Sequence, residues 1–335
     1  MKDDIYILAI ETSCDDTSVA ILKNKEVLSN IVSSQKVHEI FGGVVPELAS
    51  REHDRLIIPV IKESLKKSKV KLNQLHCVAY TRGPGLLGSL LVGTSFAKSI
   101  SISLDIPLIE INHMHAHILS IFIDDNNTKP KFPFIALTVS GGHTQLVLVK
   151  SALDFKQLGS TLDDAAGEAF DKSGKILGLD YPAGPKIDSI SKKGNPKKFI
   201  FTKPKVDNLN FSFSGLKTNF KNFINNNPKE FVSNNINDIC ASLQYTIVQI
   251  LIDKIITASK IHKISEFVIC GGVSANSYLR NELSKLKKSN SINTYVPKLS
   301  YSTDNAAMIG INAYYKYKKS IFGELSDPSI SRYPL

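Results

Sequence analysis

Residues 5–22, IYILAIETSCDDTSVAIL, decide the fold, because an apolar strand, a short polar turn and a second apolar strand follow one another there. Residues 134–149, FIALTVSGGHTQLVLV, repeat the pattern about 130 positions later. Glycine lets a backbone approach a ligand closely, and successive N–H groups of a turn can bind an anion. The repeat predicts a duplicated domain that holds phosphate between its halves. Two unrelated hairpins are the alternative that shape alone leaves open.

Length and composition predict a two-domain protein of a reducing compartment. The chain has 335 residues, of which 42% are hydrophobic, so it can bury two cores. No run approaches the ~20 apolar residues of a membrane span, and the N-terminus lacks a signal-peptide pattern. The four cysteines are scattered without a CxxC pair, which argues against a disulfide framework or a cysteine zinc site. We expect a cytoplasmic protein without a membrane partner.

The net charge of +10 permits a polyanionic partner such as tRNA. Only five of the 41 basic residues are arginine, and the lysines are accompanied by asparagine-rich stretches. Lysine and asparagine enrichment also arises in a biased genome. The charge therefore fits RNA binding without identifying it.

Apolar periodicity predicts strands alternating with helices, which is typical of an α/β fold. Helices are expected at 46–67, from 82–88 to 103, and at 113–123, 275–286 and 304–317, with further strands at 75–81, 106–111 and 266–270. The polar, proline-bearing residues 124–133 predict a linker. We expect one half at 1–130, completed by a C-terminal helix at about 304–335. The other half is expected at 131–303, with a mainly helical insertion at about 155–263.

The segment 112–117, NHMHAH, predicts a metal site at a helix start. His113 and His117 are four residues apart and share one helix face, whereas His115 points away. Asp304, at another predicted helix start, is a candidate oxygen ligand. A chance histidine pair is the alternative. The pattern lacks the glutamate of HExxH, which disfavours a zinc metalloprotease.

A glycine pattern at 83–88, GPGLLG, matches the dinucleotide-binding fingerprint after a strand and before a helix. Glu110, 22 residues beyond Gly88, takes the place of the ribose-binding acid. Pro84 inside the turn argues against this interpretation. Tight packing of a strand on a helix is the favoured role, and no NAD is expected.

Carboxylates beside glycines at 166–171 and 180–188 predict contacts with a nucleoside. Asp171 and Asp188 can accept hydrogen bonds from ribose hydroxyls, and Gly184 leaves room for a flat base. The segment 271–276, GGVSAN, follows a strand and precedes a helix, a place that suits a nucleotide. Helix-capping acids and a Pro/Gly turn are the alternative.

Ten motifs carry a family resemblance when taken together in order: ETSCDDT, VPELASREH, GPGLLGSL, HMHAH, VSGGHTQL, GEAFDK, LGLDYPAGP, FSFSGLKT, CGGVSAN and STDNAAM. They run from Glu11 to Met308, and the closing RYPL is also similar. The chain resembles the tRNA N6-adenosine threonylcarbamoyltransferases, the TsaD-like proteins once described as O-sialoglycoprotein endopeptidases. The resemblance implies the fold of actin, Hsp70 and sugar kinases (ASKHA), two α/β domains with a nucleotide cleft.

The resemblance also implies a set of site residues. The metal ligands would be His113, His117 and Asp304, holding one Fe²⁺ per subunit, with Zn²⁺ as the other candidate. The substrate contacts would be Val139, Ser140, Gly141, Gly142, His143, Asp171, Gly184, Asp188 and Asn276. Asp15 and His143 are candidates for a direct role in metal-assisted catalysis.

The chain departs from the common family motifs at three places. It has ETSCDDTS, with Asp16 and Ser18, where ETSCDET is common. It has HMHAH where HMEGH is common, so His115 is an additional histidine that could alter metal preference. YPAGP stands in place of YPGGP and keeps Gly184.

The implied activity is transfer of a threonylcarbamoyl group from threonylcarbamoyl-adenylate to a tRNA adenosine. The acceptor is N6 of the adenosine 3′ of the anticodon in tRNAs that read codons beginning with A. The implied partners are tRNA, a separate threonylcarbamoyl-adenylate synthase, an inactive-like paralogue and a small ATPase. A small-molecule kinase of the same fold, a metalloprotease and a non-enzymatic assembly subunit are the alternatives.

Overall fold

The computed structural model describes residues 4–123 and 128–334, so residues 124–127 of the predicted linker lie outside the described part. The strands are β1 (Tyr6–Glu11), β2 (Asp16–Lys23), β3 (Glu26–Ser34), β4 (Cys77–Gly83), β5 (Leu108–Asn112), β6 (Phe134–Val139), β7 (Thr144–Ser151), β8 (Asp154–Ser160), β9 (Glu266–Cys270) and β10 (Asn293–Tyr295). The helices are α1 (Pro46–Ser68), α2 (Leu87–Leu104), α3 (His113–Leu119), α4 (Ala166–Ile176), α5 (Ala183–Ser191), α6 (Ser214–Asn225), α7 (Lys229–Asn234), α8 (Ile236–His262), α9 (Ser277–Asn290) and α10 (Ala306–Tyr317).

The chain divides into two compact units. The first comprises Met1–Lys129, Ser151–Phe155 and Pro297–Leu335, and the second comprises Pro130–Lys150 and Lys156–Val296.

Two five-stranded sheets share one strand order, β3-β2-β1-β4-β5 and β8-β7-β6-β9-β10. In each sheet a hairpin forms the antiparallel pair, β1 with β2 and β6 with β7. The first strand of each hairpin also pairs in parallel with a later strand, β4 or β9, which in turn pairs in parallel with β5 or β10. The two predicted hairpins are confirmed, and the identical order shows that the architecture is duplicated.

The core of the first unit lies between its sheet and helices α1 and α2. Ile57 of α1 and Ala97 of α2 are fully buried against side chains such as Ile10 and Ile21. Helix α10 packs on the same sheet, where a Cβ built on Gly310 would lie 2.3 Å from Leu22 Cδ1. A glycine at 310 therefore allows α10 to lie close enough to β2 to cover it.

The core of the second unit forms around α8, which packs against α5 and α9. Its apolar side chains meet four buried phenylalanines: Phe201, Phe211, Phe213 and Phe220. The rings of Phe201 and Phe220 lie edge to face at 5.2 Å between centroids, an arrangement that aromatic pairs favour. The helical 155–263 region thus shares one hydrophobic core with the sheet of the second unit.

By length and composition alone, helices α2 and α8 could each cross a membrane, whereas we expected no segment that could. Most of α8 is buried inside its own unit. In α2 the buried side includes Ser89, Thr94 and Ser101, and it packs on α1 and β4. Core helices of globular domains pass the same length and composition test.

Several predicted boundaries differ from the structure. Helix α2 begins at Leu87, because 82–83 still belong to β4. Helix α3 ends at Leu119 and continues as a 3₁₀ turn, Ser120–Phe122. Strands β3, β8 and β10 were not predicted. The first two are exposed sheet edges with a weak apolar pattern, and β10 is an edge strand of only three residues.

Candidate metal centre and anion-binding turn

Helix α3 begins directly after β5, and Asn112 fixes its first turn. The Asn112 side-chain oxygen accepts hydrogen bonds from the N–H groups of Met114 at 2.9 Å and His115 at 3.3 Å. This N-cap aligns His113 and His117 on one side of the helix, with their ring centroids 4.7 Å apart. Both imidazoles are buried.

Asp304 reaches the same place from the start of α10. Asn305 caps this helix by accepting from Met308 N at 3.1 Å, and Ser18 Oγ accepts from Ala306 N at 2.9 Å. These contacts tie the residues that follow Asp304 to β2. Asp304 Oδ1 lies 3.0 Å from His117 Nε2 and 3.6 Å from the Nε2 of His113.

The three side chains fit a metal ion. One ligand atom from each of His113, His117 and Asp304 lies within 4.8 Å of the others. Two imidazole nitrogens and one carboxylate oxygen suit Zn²⁺ or Fe²⁺ and leave coordination positions open for a substrate. Among the described residues, the buried Nδ1 of His117 has no hydrogen-bond partner, whereas its Nε2 faces Asp304.

Glu11, the last residue of β1, holds the other side of the His113 ring. Its Oε2 lies 3.1 Å from His113 Nδ1, and Ser13 Oγ lies 3.2 Å from the same nitrogen. Burial opposes ionisation of both groups, but their mutual attraction outweighs it. The pKa of Glu11 is therefore lowered, and Glu11 together with Asp304 raises the pKa of His113 to about 9.

His115 lies outside this cluster. Its ring stacks on Phe155 with a centroid distance of 3.9 Å and an angle of 8°. Burial lowers the pKa of His115 to about 4, so the imidazole is neutral at physiological pH. The additional histidine of HMHAH therefore packs within the first unit and contributes no atom to the three-ligand group.

The first hairpin turn, which carries Asp15, is fixed to helices α1 and α2. Cys14 O accepts hydrogen bonds from His53 Nε2 at 2.9 Å and from Ser89 Oγ at 3.3 Å. Asp15 O accepts from Gln35 N at 3.2 Å. The turn carries three acidic residues within six positions, since Glu11 and Asp16 flank it.

Asp16 carries a perturbed carboxyl at the start of β2. Burial raises its pKa to about 6, and the nearby negative charges of Asp304, Asp15 and Glu11 act in the same direction, while a hydrogen bond from Ser34 opposes them. A nearby positive charge would therefore stabilise the ionised form of Asp16 and lower its pKa.

The 83–88 glycines pack the protein against itself. A Cβ on Gly83 would lie 1.9 Å from Ile330 O, and one on Gly85 would lie 2.5 Å from Ser13 O. The Gly85 N–H donates to Ser331 O at 3.2 Å. Neither glycine could be replaced without moving the C-terminal segment or the first turn.

A dinucleotide-binding turn also requires a backbone N–H free to bind the pyrophosphate and an acidic residue free to bind the ribose, and this segment offers neither. The Leu86 N–H donates to Ser13 O at 2.8 Å, so it does not face a pyrophosphate. Glu110, the proposed ribose acid, forms an ion pair with Arg82. The tight-packing role that the sequence favoured is the one the structure shows.

The second hairpin turn has the geometry of an anion-binding loop. Ser140 N donates to His143 O at 2.8 Å, and His143 N donates to Ser140 Oγ at 3.1 Å, which closes the turn. A Cβ on Gly141 or Gly142 would meet nothing within 4 Å. In the part of the chain that the structure describes, the N–H groups of these two glycines have no protein acceptor. They are available to an anion.

Two further glycines lie on the same edge of this sheet as the second turn. Strands β6 and β9 are parallel neighbours, so Val139 and Cys270 end side by side. Gly271 has φ +90°, and a Cβ there would lie 2.4 Å from Val139 O. Gly272 next to it faces open space. The turns that follow β6 and β9 therefore each contain two adjacent glycines, which have no side chain.

Asp171 and Gly184 meet at the start of α5. Asp171 Oδ1 accepts from Ala183 N at 2.8 Å and from Gly184 N at 3.4 Å. Burial raises the pKa of Asp171, although these two N–H groups oppose the change. The other carboxylate oxygen of Asp171, Oδ2, has no protein partner among the described residues. A Cβ built on Gly184 would lie 3.8 Å from Phe170 Cβ.

Asp188 and Asn276 both support the start of α9. Asp188 accepts from Ser277 Oγ at 2.8 Å and from Ser277 N at 3.2 Å. Asn276 accepts from Leu279 N at 2.9 Å and donates to Gln244 Oε1 at 2.7 Å. The capping alternative thus describes what these side chains do within the protein, and their contact with a nucleoside stays a prediction.

Sequence reasoning missed Glu11 and Ser13 as neighbours of the candidate ligand His113. Both were quoted only as part of a motif, because a residue that orients a ligand has no spacing pattern of its own. An acidic residue at the end of a fully apolar strand was the available signal, since a buried carboxylate needs a partner.

Comparison with known proteins identifies the family. A family model described as TsaD, tRNA N6-adenosine threonylcarbamoyltransferase, matches residues 26–311. A protein of that name from Christiangramia forsetii is 57% identical, with 98% of each chain covered. Another from Phocaeicola vulgatus is 53% identical, with 98% of this chain and 99% of its own covered. The chain belongs to this threonylcarbamoyltransferase family. The resemblance drawn from its ten motifs is confirmed.

Solved structures support the predicted fold of this family member. Full-length HypF in a phosphate- and nucleotide-bound form aligns with a TM-score of 0.64 and 16% identity over 96% of this chain and 48% of that chain. The ROK hexokinase from Thermus thermophilus aligns with a TM-score of 0.54 and 11% identity over 94% and 100%. Identities this low show the fold alone. The fold is the duplicated α/β fold of actin, Hsp70 and sugar kinases, as predicted.

Proposed function

We propose that this enzyme transfers a threonylcarbamoyl group from threonylcarbamoyl-adenylate to N6 of the adenosine 3′ of the anticodon, in tRNAs that read codons beginning with A. The observation that carries the proposal is the convergence of His113, His117 and Asp304 within 4.8 Å, in a chain 57% identical to a relative of that name. Fold alone would not decide between this activity and a kinase.

Charge stabilisation by a bound metal ion is the proposed role of the three-ligand group. Adenine N6 is a poor nucleophile because its lone pair is delocalised into the ring, so the carbonyl that it attacks must be activated. Fe²⁺ or Zn²⁺, when bound, would supply Lewis-acid stabilisation of charge on the donor's oxygens. His113, His117 and Asp304 would hold the ion, and Glu11 with Ser13 would hold His113.

The Ser140–His143 turn is the proposed site for the donor's phosphate. Gly141 and Gly142 are exposed, and their N–H groups, which have no protein acceptor among the described residues, would donate to phosphate oxygens. We propose that His143, and the backbone of the buried Val139, contact the same group. AMP is the leaving group of the mixed anhydride, and this turn would retain it as the carbamoyl carbon is attacked.

The adenosine of the donor is proposed to lie over Gly184 and Gly272. Both glycines leave room for a flat base, since a Cβ built on Gly184 would lie 3.8 Å from Phe170 Cβ and one built on Gly272 would meet nothing within 4 Å. Asp171 Oδ2 is proposed to accept a hydrogen bond from a ribose hydroxyl. Asp188 and Asn276, which hold the start of α9, are proposed to contact the same nucleoside. Asp15 remains a candidate for direct contact with a reacting group.

The acceptor and the partners follow from the chemistry. A base in a tRNA loop is accessible without melting a duplex, and 41 basic against 31 acidic residues favour approach of RNA. We propose that a separate synthase makes the adenylate donor, and that an inactive-like paralogue and a small ATPase act with this enzyme in the cytoplasm.

Omission experiments test the division of labour. The purified chain, given threonine, bicarbonate, ATP and unmodified tRNA, is expected to form little modified nucleoside. Adding the synthase, the paralogue and the ATPase should restore it, and each single omission should lower it. Robust synthesis by this chain alone from the three small molecules would contradict the proposal. Transfer of labelled γ-phosphate to a small acceptor would favour the kinase alternative.

A further inference from the structure

Glu11 is a charged side chain with no exposed surface at the end of β1. Burying a carboxylate is costly unless hydrogen bonds and an opposite charge compensate. Three groups converge on it. Thr81 Oγ1 donates to Oε2 at 2.5 Å, Ser13 N donates to Oε1 at 2.6 Å, and His113 Nδ1 lies 3.1 Å from Oε2.

The orientation of His113 depends on this carboxylate. An ionised carboxylate only accepts, so the hydrogen between Glu11 and His113 resides on Nδ1. Because Nδ1 is engaged with Glu11, the nitrogen available to a metal ion is Nε2, which lies 3.6 Å from Asp304 Oδ1. In contrast, His117 Nδ1 has no such partner among the described residues.

We propose that Glu11 is a positioning residue that fixes the His113 tautomer and strengthens His113 as a metal ligand. This inference rests on the proposed function, because it presupposes an ion at His113, His117 and Asp304. The physical reason is general: a carboxylate that accepts from the outer nitrogen of a ligand histidine raises the basicity of the inner nitrogen. Thr81 and Ser13 hold Glu11 in turn, so the arrangement has a second layer of support.

Binding of Co²⁺ to metal-free protein tests the proposal, because its absorption spectrum reports the ligand field as well as the affinity. Glu11→Gln keeps the size of the side chain and removes its charge. We expect it to bind one Co²⁺ with an affinity about 10- to 100-fold lower than the wild type and with shifted visible bands. Glu26→Gln makes the same change of charge at an exposed position of β3 and should bind as the wild type does.

Thr81→Val provides a second variant should the buried Glu11→Gln fail to fold. It removes the hydroxyl that holds Oε2 and leaves the carboxylate present, so a smaller loss of affinity is expected. Wild-type affinity and an unshifted spectrum in folded Glu11→Gln, or in Thr81→Val if that variant alone folds, would overturn the positioning role. If the wild type itself binds no Co²⁺, the proposed metal centre fails and the role of Glu11 fails with it.

Discussion

Asp304 Oδ1 lies 3.0 Å from His117 Nε2, although 187 residues separate the two in the chain. The contact joins the start of α10 to helix α3 within the first unit. Asn112 and Asn305 cap these two helices, and Ser18 holds the first turn of α10 on β2. The ligands are therefore held by ordered helix starts, which is a sound basis for a metal site.

Removal of one ligand should remove the metal. We expect His113→Ala to lose the one metal ion per chain that elemental analysis should find in the wild type, since two ligands hold an ion poorly. His115→Phe is the matched control, because a phenyl ring can keep the stacking on Phe155. Unchanged metal content in His113→Ala, or loss in folded His115→Phe, would contradict the assignment.

A pair of adjacent glycines tests the strand ends of the second sheet. Gly271→Ala forces a Cβ to within 2.4 Å of Val139 O at φ +90°, so it should lower the free energy of unfolding by about 1–3 kcal/mol. Gly272→Ala has open space around its Cβ and should cost less than Gly271→Ala. Denaturant titration of both variants measures the difference. Equal stabilities would show that the close approach to Val139 is not limiting.

Two substitutions separate the capping role of Asp171 from nucleotide binding. Asp171→Ala loses the acceptor for Ala183 N and Gly184 N, so it should cost about 0.5–2 kcal/mol of stability and also weaken adenine nucleotide binding by about 1–3 kcal/mol. Asp171→Asn keeps one acceptor oxygen. It should retain stability and still weaken AMP binding in calorimetry. If Asp171→Asn binds AMP as the wild type does, Asp171 serves only to cap α5. Tight NADH binding without AMP binding would support the dinucleotide interpretation instead.

Asp16 should make stability depend on pH in the metal-free protein. Its pKa in the folded state is raised to about 6, above that of an exposed aspartate, so the folded state binds the proton more tightly and loses stability as pH rises from about 4 to about 6. Asp16→Asn should therefore stabilise the protein by about 1–3 kcal/mol at pH 7.5 and by little at pH 4. Asp54→Asn, exposed on α1, is the control. A gain that is equal at both pH values would contradict this origin.

Much of the fold follows from local pattern. The two hairpins are visible because continuous apolar strands flank short polar turns, and their strands pair as expected. The edge strands β3 and β8 escape prediction because all but one residue in each is exposed or lies at intermediate depth. The start of α2 was placed too early because the last residues of β4 carry no distinguishing pattern.

The candidate site was predictable only where residues share an element. His113 and His117 share a helix face by spacing, whereas their proximity to Asp304 and Glu11 depends on packing between elements distant in sequence. For Asp188 and Asn276, the sequence pattern fits two different roles and cannot distinguish them. A carboxylate near glycines is equally suited to a ribose and to a helix start, and only the positions of Ser277 and Leu279 show that the helix-start contact exists.

Mass spectrometry of tRNA nucleosides tests the central claim most directly. Unmodified tRNA is incubated with the wild-type chain, its partner proteins and threonylcarbamoyl-adenylate, and the digest is compared with one from His113→Ala. The account predicts threonylcarbamoyladenosine at the position 3′ of the anticodon with the wild type and almost none with the variant. Absence of the modified nucleoside with metal-loaded wild type, or equal amounts with folded His113→Ala, would contradict it.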